Sequence, residues 1–353
     1  MLFFCRWFSR VFIISMLGVI STVHYSSSYA SGVQIISIRL ADGSTKQVSA
    51  LTVPRPSLAT LKKKFKCIHQ RKTWLRANLA SRRLPTSYYH TMTMPVLDQG
   101  VWGTCATFAS TIAIDELLGL HDNQAVSQLC HLELSRALDS NNTVGSWDGA
   151  DIIGVLNQIE QYGYINYSYQ YHYGCGGLKS YPINSHDNGQ ALPIDLFLKH
   201  SIRNQFRHQY WQDLYQDQLP LHKDPVILAK EALHSGKLLV IGLVLSMPDL
   251  EFGMGEYKGI KKDAWVMTPA VMASLDHLDD DHFVGHAMVV TGYDDHACAY
   301  YSKQSGDKII SKKECGLFKL RNSWSSKAGD QGDFYVSYDY FRVFSVELVA
   351  IGK

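Results

Sequence analysis

The chain has 353 residues, of which 46% are hydrophobic and 19% are charged, a balance typical of a soluble globular protein with one large or two smaller domains. Beyond the N-terminus it contains no apolar run of about 18 residues, so an internal membrane-spanning helix is not expected. The net charge of +2 is unevenly distributed. Residues 1–83 carry 14 Lys and Arg against one acid, whereas residues 84–353 carry a net charge of −11.

The first 30 residues have the pattern of an export signal peptide. Arg6 and Arg10 precede the apolar stretch Val11–Ile20, and the polar stretch after it ends in a small-x-small site at Ala30. An uncleaved membrane anchor is the alternative, but the apolar core is short for a span. We therefore expect an exported protein without a stable membrane span, located in the periplasm, outside the cell or in a lysosome-like compartment.

Residues 31–83 are predicted to form a basic N-terminal extension or pro-segment. Residues 31–56 resemble two strands joined by a DGST turn, and residues 57–82 have apolar side chains at helical spacing until Pro85 ends the pattern. Opposite net charges favour folding of this segment back onto the acidic remainder of the chain. Binding to an anionic membrane is the alternative. Nucleic acid is not an expected partner because no nucleic-acid motif accompanies the basic run.

The rest of the chain is helix-rich first and strand-rich later. Helices are predicted from Cys105 to Gly119, between Ser146 and Gly163, and over residues 225–236. The Tyr-rich region 164–224 has weak periodicity and is interpreted as a surface insertion. Strands are predicted over 237–245, 286–294, 316–324, 333–340 and 344–352. This order predicts an α+β fold with a ligand cleft between the two halves.

Six cysteines remain after removal of the signal peptide. Cys298 and Cys315 flank a polar loop between two predicted strands, which suits a hairpin disulfide. Cys130 with Cys175 is the second expected pair, although spacing alone does not determine connectivity. A free thiol at Cys105 would leave at least one further cysteine unpaired.

The stretch "PVLDQGVWGTC" places a thiol at the start of a helix, where the thiolate is favoured. The side-chain amide of Gln99 and the backbone N–H of Cys105 could bind an oxyanion. His286 could act as the base, and the carbonyl of Asn322 could orient its ring. Trp324 could shield that hydrogen bond from water.

Two other interpretations of these residues are open. A lone helical cysteine such as Cys105 is usually a buried core residue. The stretch "HLDDDHFVGH" could bind zinc, but its residues fall on a loop rather than on one helical face. We therefore predict neither a metal site nor an organic cofactor.

The order Gln–Cys–His–Asn resembles the papain-like cysteine peptidases, and the pieces "PVLDQGVWGTC", "WDGAD", "GHAMVVTGY" and "RNSW" carry the resemblance over roughly residues 84–345. It implies a helical left subdomain and an antiparallel β-barrel-like right subdomain with the active-site cleft between them, within residues 84–353. It also implies a catalytic set and substrate contacts. The catalytic set is Gln99 as oxyanion donor, Cys105 as nucleophile, His286 as acid and base, and Asn322 as orienting group. The substrate contacts are Gly149 pairing with the peptide backbone, Ala287 as the wall of a side-chain pocket, and Trp324 as the shield.

The chain departs from that family around its cysteine and in its spacing. The family signature C-G-[SA]-C-[WY] is here Trp102-Gly103-Thr104-Cys105-Ala106. Cys105 lies 181 residues before His286 and 217 before Asn322, against about 130–150 in the family. Insertions are therefore predicted near 175–224 and at 297–315.

The sequence thus predicts an exported cysteine peptidase whose partners are a peptide or protein substrate and its own pro-segment. Two alternatives stay open: an acyltransferase that performs transamidation, and a catalytically silent binding protein of the same fold.

Overall fold

The computed structural model describes residues 32–40, 42–52, 61–62, 65, 84–139, 147–184, 187–203, 211–214, 224–246, 254–275, 283–305 and 307–352. The predicted signal peptide and most of the predicted basic helix lie outside these residues. Within them, no helix is both long enough and apolar enough to cross a membrane.

Three long helices fall where the sequence predicts them. The helix that begins at Cys105 ends before Gly119, whose φ of 67° forms the left-handed cap. The second predicted helix begins later than expected because the side chain of Asp151 caps it by accepting from Gly154 N–H. Ser146 lies outside the described residues. The helices are α1 (Cys105–Leu118), α2 (Gln128–Leu138), α3 (Ile152–Tyr162), α4 (Tyr167–Tyr173), α5 (Ile194–His200), α6 (Pro225–His234), α7 (Pro269–Ser274) and α8 (Tyr338–Phe344).

The strands form one mixed sheet with the order β4-β11-β5-β8-β6-β7-β10-β9, and β9 also pairs with β8. The path from β8 through β6, β7 and β10 to β9 therefore closes on itself, and this confirms the barrel-like half. The strands are β1 (Val33–Arg39), β2 (Thr45–Thr52), β3 (Ser87–Tyr89), β4 (Trp211–Asp213), β5 (Leu238–Ser246), β6 (Met254–Tyr257), β7 (Ile260–Trp265), β8 (Phe283–Ser305), β9 (Lys308–Arg321), β10 (Asp333–Ser337) and β11 (Ser345–Ile351).

Two details of the strand prediction are wrong. β7 and β10 are parallel, so the barrel is not purely antiparallel. A long connection, here through β8 and β9, permits a parallel pair. The predicted strand over 333–340 ends at Ser337, whose side chain accepts from Tyr340 N–H and starts α8.

The region predicted as a surface insertion contributes to the core of the helical half. α4 and α5 lie in it, and Phe197 on α5 is completely buried. Ile165 and Leu192 pack into the same apolar cluster as Phe197. The two helices have seven residues each, which is too short for their periodicity to be evident in the sequence.

Both predicted disulfides are present. Cys130–Cys175 joins α2 to the loop after α4, and Cys298–Cys315 links facing positions of β8 and β9. The stretch 297–315, predicted as an insertion, is therefore an extension of the β8–β9 hairpin whose two strands are linked by a disulfide. Cys105 is a free thiol, whereas Cys67 lies outside the described residues.

The predicted strand pair near the N-terminus is confirmed as β1 and β2, which we call the N-terminal hairpin (residues 33–52). β2 also joins the main sheet, because Leu51 pairs with Gly285 and Thr52 with Val284 on β8. Farther along, Leu61 is buried in the core against the sheet and Phe65 packs onto the same cluster. The described part of residues 31–83 therefore folds back onto the domain.

Candidate active site

Cys105 is the first residue of α1, and only 1% of it is exposed. The turn before it depends on Gly100, whose φ is 60° and whose added Cβ would lie 2.1 Å from the carbonyl oxygen of Ile183. The indole of Trp102 anchors the same turn by donating to Pro182 O over 2.8 Å. The thiol therefore sits on a rigid loop at the positive end of a helix dipole.

Gln99 is fully buried and held at both ends of its carboxamide. Its Oε1 accepts from Ser323 Oγ at 2.7 Å, and its backbone N–H donates to Ser323 O at 2.9 Å. Its Nε2 donates to Trp102 O at 2.9 Å and to Ser49 O at 3.3 Å. One amide hydrogen therefore points back into the loop before Cys105, and the other points toward the N-terminal hairpin.

His286 and Asn322 form the hydrogen bond that the sequence predicts. The ring Nε2 lies 2.7 Å from Asn322 Oδ1, and both residues are buried. Trp324 stacks on the imidazole with ring centroids 4.4 Å apart and an interplanar angle of 24°. Since β8 and β9 are paired, His286 on β8 and Asn322 at the end of β9 come together from different parts of the chain.

The Cys105 thiol lies beside Ala287, the residue that follows His286, and no hydrogen bond joins the thiol to the imidazole among the described residues. Backbone hydrogen bonding from Ala287, the residue after His286, lowers the pKa of Cys105, but burial dominates and raises this pKa to about 11. Burial lowers the pKa of His286 to about 4 despite the bond from Asn322. His286 Nδ1 is buried and has no hydrogen-bond partner among the described residues. Both groups are therefore neutral near pH 7.

The N-terminal hairpin lies over this site. Lys46 forms an ion pair with Asp98, the residue before Gln99, and Ser49 Oγ donates to Val101 O. Leu51 packs in the same apolar cluster as Cys105. An added Cβ at Gly103 would lie 3.1 Å from Leu51 Cδ2, so the hairpin reaches the loop that leads into Cys105.

The two predicted backbone and pocket contacts lie near that loop. Gly149 is buried with a φ of 133° and lies two residues after Trp147, whose carbonyl accepts from Gly103 N–H at 2.9 Å. Ala287 is 5% exposed and lies opposite Gly242 on β5. Their roles as substrate contacts stay predictions.

Of the residues in the alternative zinc cluster, only His286 is described, and its Nε2 is engaged by Asn322. The described part of the chain contains no group of three or more His, Cys, Asp or Glu side chains that could hold a metal ion. His277 and the aspartates that follow lie outside it.

The structure adds to this site two residues that the sequence does not predict. Ser323 fixes the orientation of the Gln99 carboxamide, and Ser49 supplies the carbonyl that the amide contacts. Ser323 lies inside the "RNSW" stretch, but its role depends on the approach of a segment 224 residues away. Nothing in the sequence around Ser49 signals its position.

No protein-family model and no curated protein matches this chain. Among solved structures it is similar to xylellain, a cysteine protease from Xylella fastidiosa, with 16% identity over 76% of this chain and 87% of that one and a TM-score of 0.48. It is also similar to procathepsin L 3 of the Tenebrio molitor larval midgut, with 16% identity, coverage of 78% and 72%, and a TM-score of 0.44. For proCathepsin B S9 from Trypanosoma congolense the identity is 14%, the coverage 78% and 79%, and the TM-score 0.46.

Proposed function

We propose that this chain is an exported cysteine peptidase that is produced with its active site covered by its own N-terminal hairpin. The observation that carries the proposal is the buried His286–Asn322 hydrogen bond beside a free thiol at the start of α1. Because Asn322 engages Nε2, the Nδ1 atom of His286 is the nitrogen left to exchange a proton with Cys105.

The reaction follows from these positions. The Cys105 thiolate attacks the peptide carbonyl, and the Gln99 amide with the Cys105 N–H stabilises the oxyanion by about 3–4 kcal/mol per donor. The protonated ring of His286 gives its proton to the leaving amine, so the C–N bond breaks and an acyl-enzyme forms. Water, deprotonated by His286, then releases the acid and restores the thiol. Neither a metal nor an organic cofactor takes part in these steps.

The N-terminal hairpin is proposed to keep the site inactive. In the covered protein Gln99 Nε2 donates to Trp102 O in its own loop and to Ser49 O of the hairpin, so departure of the hairpin frees one amide hydrogen for the oxyanion. The burial that the hairpin adds also disfavours the thiolate and the imidazolium. Departure of the hairpin hydrates the site, so the proton can pass from sulfur to Nδ1. Residues 31–83 are therefore proposed as an inhibitory pro-segment.

The test compares the secreted protein before and after limited proteolysis of residues 31–83, with Cys105→Ala as the matched control. We expect a peptidyl epoxide to label Cys105 in the opened protein, and peptides to be cleaved by that protein but not by the variant. N-terminal sequencing of the secreted form checks for cleavage after Ala30.

Two outcomes would contradict peptide hydrolysis as the activity. An opened, reduced and folded protein whose Cys105 fails to react would be a silent binding protein. A protein that transfers its acyl group to an added amine in preference to water would be an acyltransferase.

A further inference from the structure

Strands β8 and β9 continue beyond the body of the domain as a two-stranded ribbon. Tyr301 and Lys312 face each other across the two strands on the side that packs against the body. Tyr301 is only 8% exposed, and Lys312 Nζ donates to Met267 O. Between residues 302 and 311, every side chain that the structure describes is exposed. We call residues 302–311 the hairpin tip.

The hairpin tip exposes two adjacent isoleucines. Ile309 is 74% exposed, more than any other large aliphatic side chain in the described part of the chain, and Ile310 is 40% exposed. Successive residues of a strand point to opposite faces, so both faces of the ribbon carry an apolar side chain near its end. Single exposed apolar residues are common on protein surfaces. Here, however, neither face of the tip packs on the body, so the two isoleucines are buried only if a partner covers them.

The same ribbon is basic, whereas the domain that carries it is acidic. Residues 298–315 contain four lysines and two acids, and residues 84–353 as a whole carry a net charge of −11. Lys312 forms an ion pair with Glu314 at 2.7 Å close to the body, so these two charges cancel. The other charged residues of the ribbon give a net charge of +2, and they are Lys303, Asp307, Lys308 and Lys313.

The reach of the ribbon separates this positive charge from the acidic body. Ser305 is the last residue of β8 and lies four residues beyond Tyr301. That is about 13 Å at about 3.3 Å per residue. At physiological ionic strength charges are screened over about 8 Å. The tip can therefore approach a negatively charged surface without strong repulsion from the rest of the domain.

We propose that the hairpin tip docks this protein on an anionic phospholipid surface, with the isoleucines inserted at the boundary of the acyl chains and the lysines on the phosphate groups. Such binding increases with the apolar area buried and with the attraction to anionic lipid. Tyr300 is 55% exposed, with Lys313 Nζ 5.4 Å from its ring centroid, and tyrosine is enriched at membrane interfaces. Lysine, by contrast, is depleted at the cores of protein–protein interfaces.

Docking through the tip leaves the candidate active site free. His286 lies near the start of β8 and Asn322 directly follows β9, so both are at the other end of this strand pair from the tip. The proposal does not depend on the peptidase function, because the tip contains none of the residues assigned to the reaction.

The test measures sedimentation of the secreted protein with vesicles of phosphatidylcholine, alone or mixed with an equal share of phosphatidylglycerol. We expect binding to the anionic vesicles only, and weaker binding as salt is added. Replacing both isoleucines, Ile309→Ser with Ile310→Ser, should weaken binding about tenfold or more. Replacing two lysines, Lys303→Gln with Lys313→Gln, should weaken it about 25-fold, or about fivefold for each lysine.

Leu196→Ser and Lys199→Gln are the matched controls, since they remove an exposed apolar side chain and an exposed lysine from α5. Both should leave vesicle binding unchanged. Equal binding by wild type and the tip variants overturns the proposal and assigns any lipid contact to another segment, such as the basic residues 57–82. Self-association without lipid that the isoleucine variant abolishes also overturns it, because the partner is then a second copy of this chain.

Hydrogen exchange of the wild-type protein provides a test that needs no variant. Anionic vesicles should slow amide exchange within residues 302–311, because insertion removes this backbone from water. The same exchange rates there with and without vesicles overturn the proposal.

Discussion

Gln99 and Ser49 are joined by a hydrogen bond from the side-chain amide of one to the backbone carbonyl of the other, over 3.3 Å. One residue lies on the loop before the nucleophile, and the other lies on β2 of the N-terminal hairpin. This contact links the covering segment directly to the group proposed to bind the oxyanion. Its strength, and that of the neighbouring Lys46–Asp98 ion pair, should determine how readily the site opens.

Lys46→Ala should make Cys105 more reactive in the full-length chain. The Lys46–Asp98 pair is partly buried, and its loss should weaken hairpin docking by about 1 kcal/mol, or about fivefold in the open population. The measurement is the rate of Cys105 alkylation under native conditions. Lys199→Ala, which removes an exposed lysine on α5, is the control and should leave the rate unchanged. Equal alkylation rates for Lys46→Ala and Lys199→Ala would show that the Lys46–Asp98 ion pair does not hold the hairpin over the site.

Gln99→Ala should lower kcat of the opened enzyme by about 100-fold or more, because an oxyanion donor acts mainly in the transition state. Ser323→Ala should lower kcat by only about 2–10-fold, since it removes one hydrogen bond that orients the Gln99 carboxamide. Steady-state kinetics with one peptide substrate would give kcat for Gln99→Ala and Ser323→Ala and so distinguish the two effects. If Ser323→Ala were as damaging as Gln99→Ala, Ser323 would have a larger part in the reaction than orientation.

The contribution of His286 to the stability of the covered protein should fall as the pH drops from about 6.5 toward 4, whereas the buried carboxyl groups of Asp115, Glu133, Asp263 and Glu347, whose pKa values burial raises, change stability in the opposite direction. In the folded protein the pKa of His286 is lowered to about 4, so the unfolded chain binds a proton at a pH where the folded chain does not. This contribution to the free energy of unfolding is therefore fully present above pH 6.5 and is lost by about pH 4, a change of up to about 3 kcal/mol. Urea unfolding at several pH values measures it.

His286→Gln should remove this contribution from the pH profile, because glutamine does not titrate. Subtracting the variant profile from that of wild type cancels the contributions of the buried carboxyl groups and of His131, whose pKa burial lowers to about 3. A wild-type and a variant profile of the same shape would contradict the assignment.

Removing the Cys130–Cys175 disulfide by a double alanine substitution should cost about 4 kcal/mol of unfolding free energy, since it closes a loop of 45 residues. Removing Cys298–Cys315, with a separation of 17, should cost about 3 kcal/mol. Urea unfolding of the two double variants gives the comparison. If removing Cys298–Cys315 lowers the free energy of unfolding more than removing Cys130–Cys175, the entropy of the unfolded chain does not determine which disulfide stabilises the protein more.

Local sequence patterns were sufficient to predict several of the helices, strands and disulfides of this protein. The apolar run from Cys105 and the left-handed cap at Gly119 determined α1, because helix periodicity and capping act over a few residues. The polar loop between two strand-like runs was enough to pair Cys298 with Cys315. Short elements were less well predicted. The seven-residue α8 overlaps the ends of the predicted strands 333–340 and 344–352, since neither period repeats over so few residues.

The sequence by itself determined the residue types of the candidate site and their order, because nucleophile, base and orienting group are identifiable from local motifs. Only the tertiary structure decided that Ser49 faces Gln99 and that Ser323 holds the Gln99 carboxamide. These relationships depend on strand register and on contacts between distant segments. A shift of one residue in the pairing of β2 with β8 would move Ser49 away from Gln99, and no local pattern in the chain specifies that register.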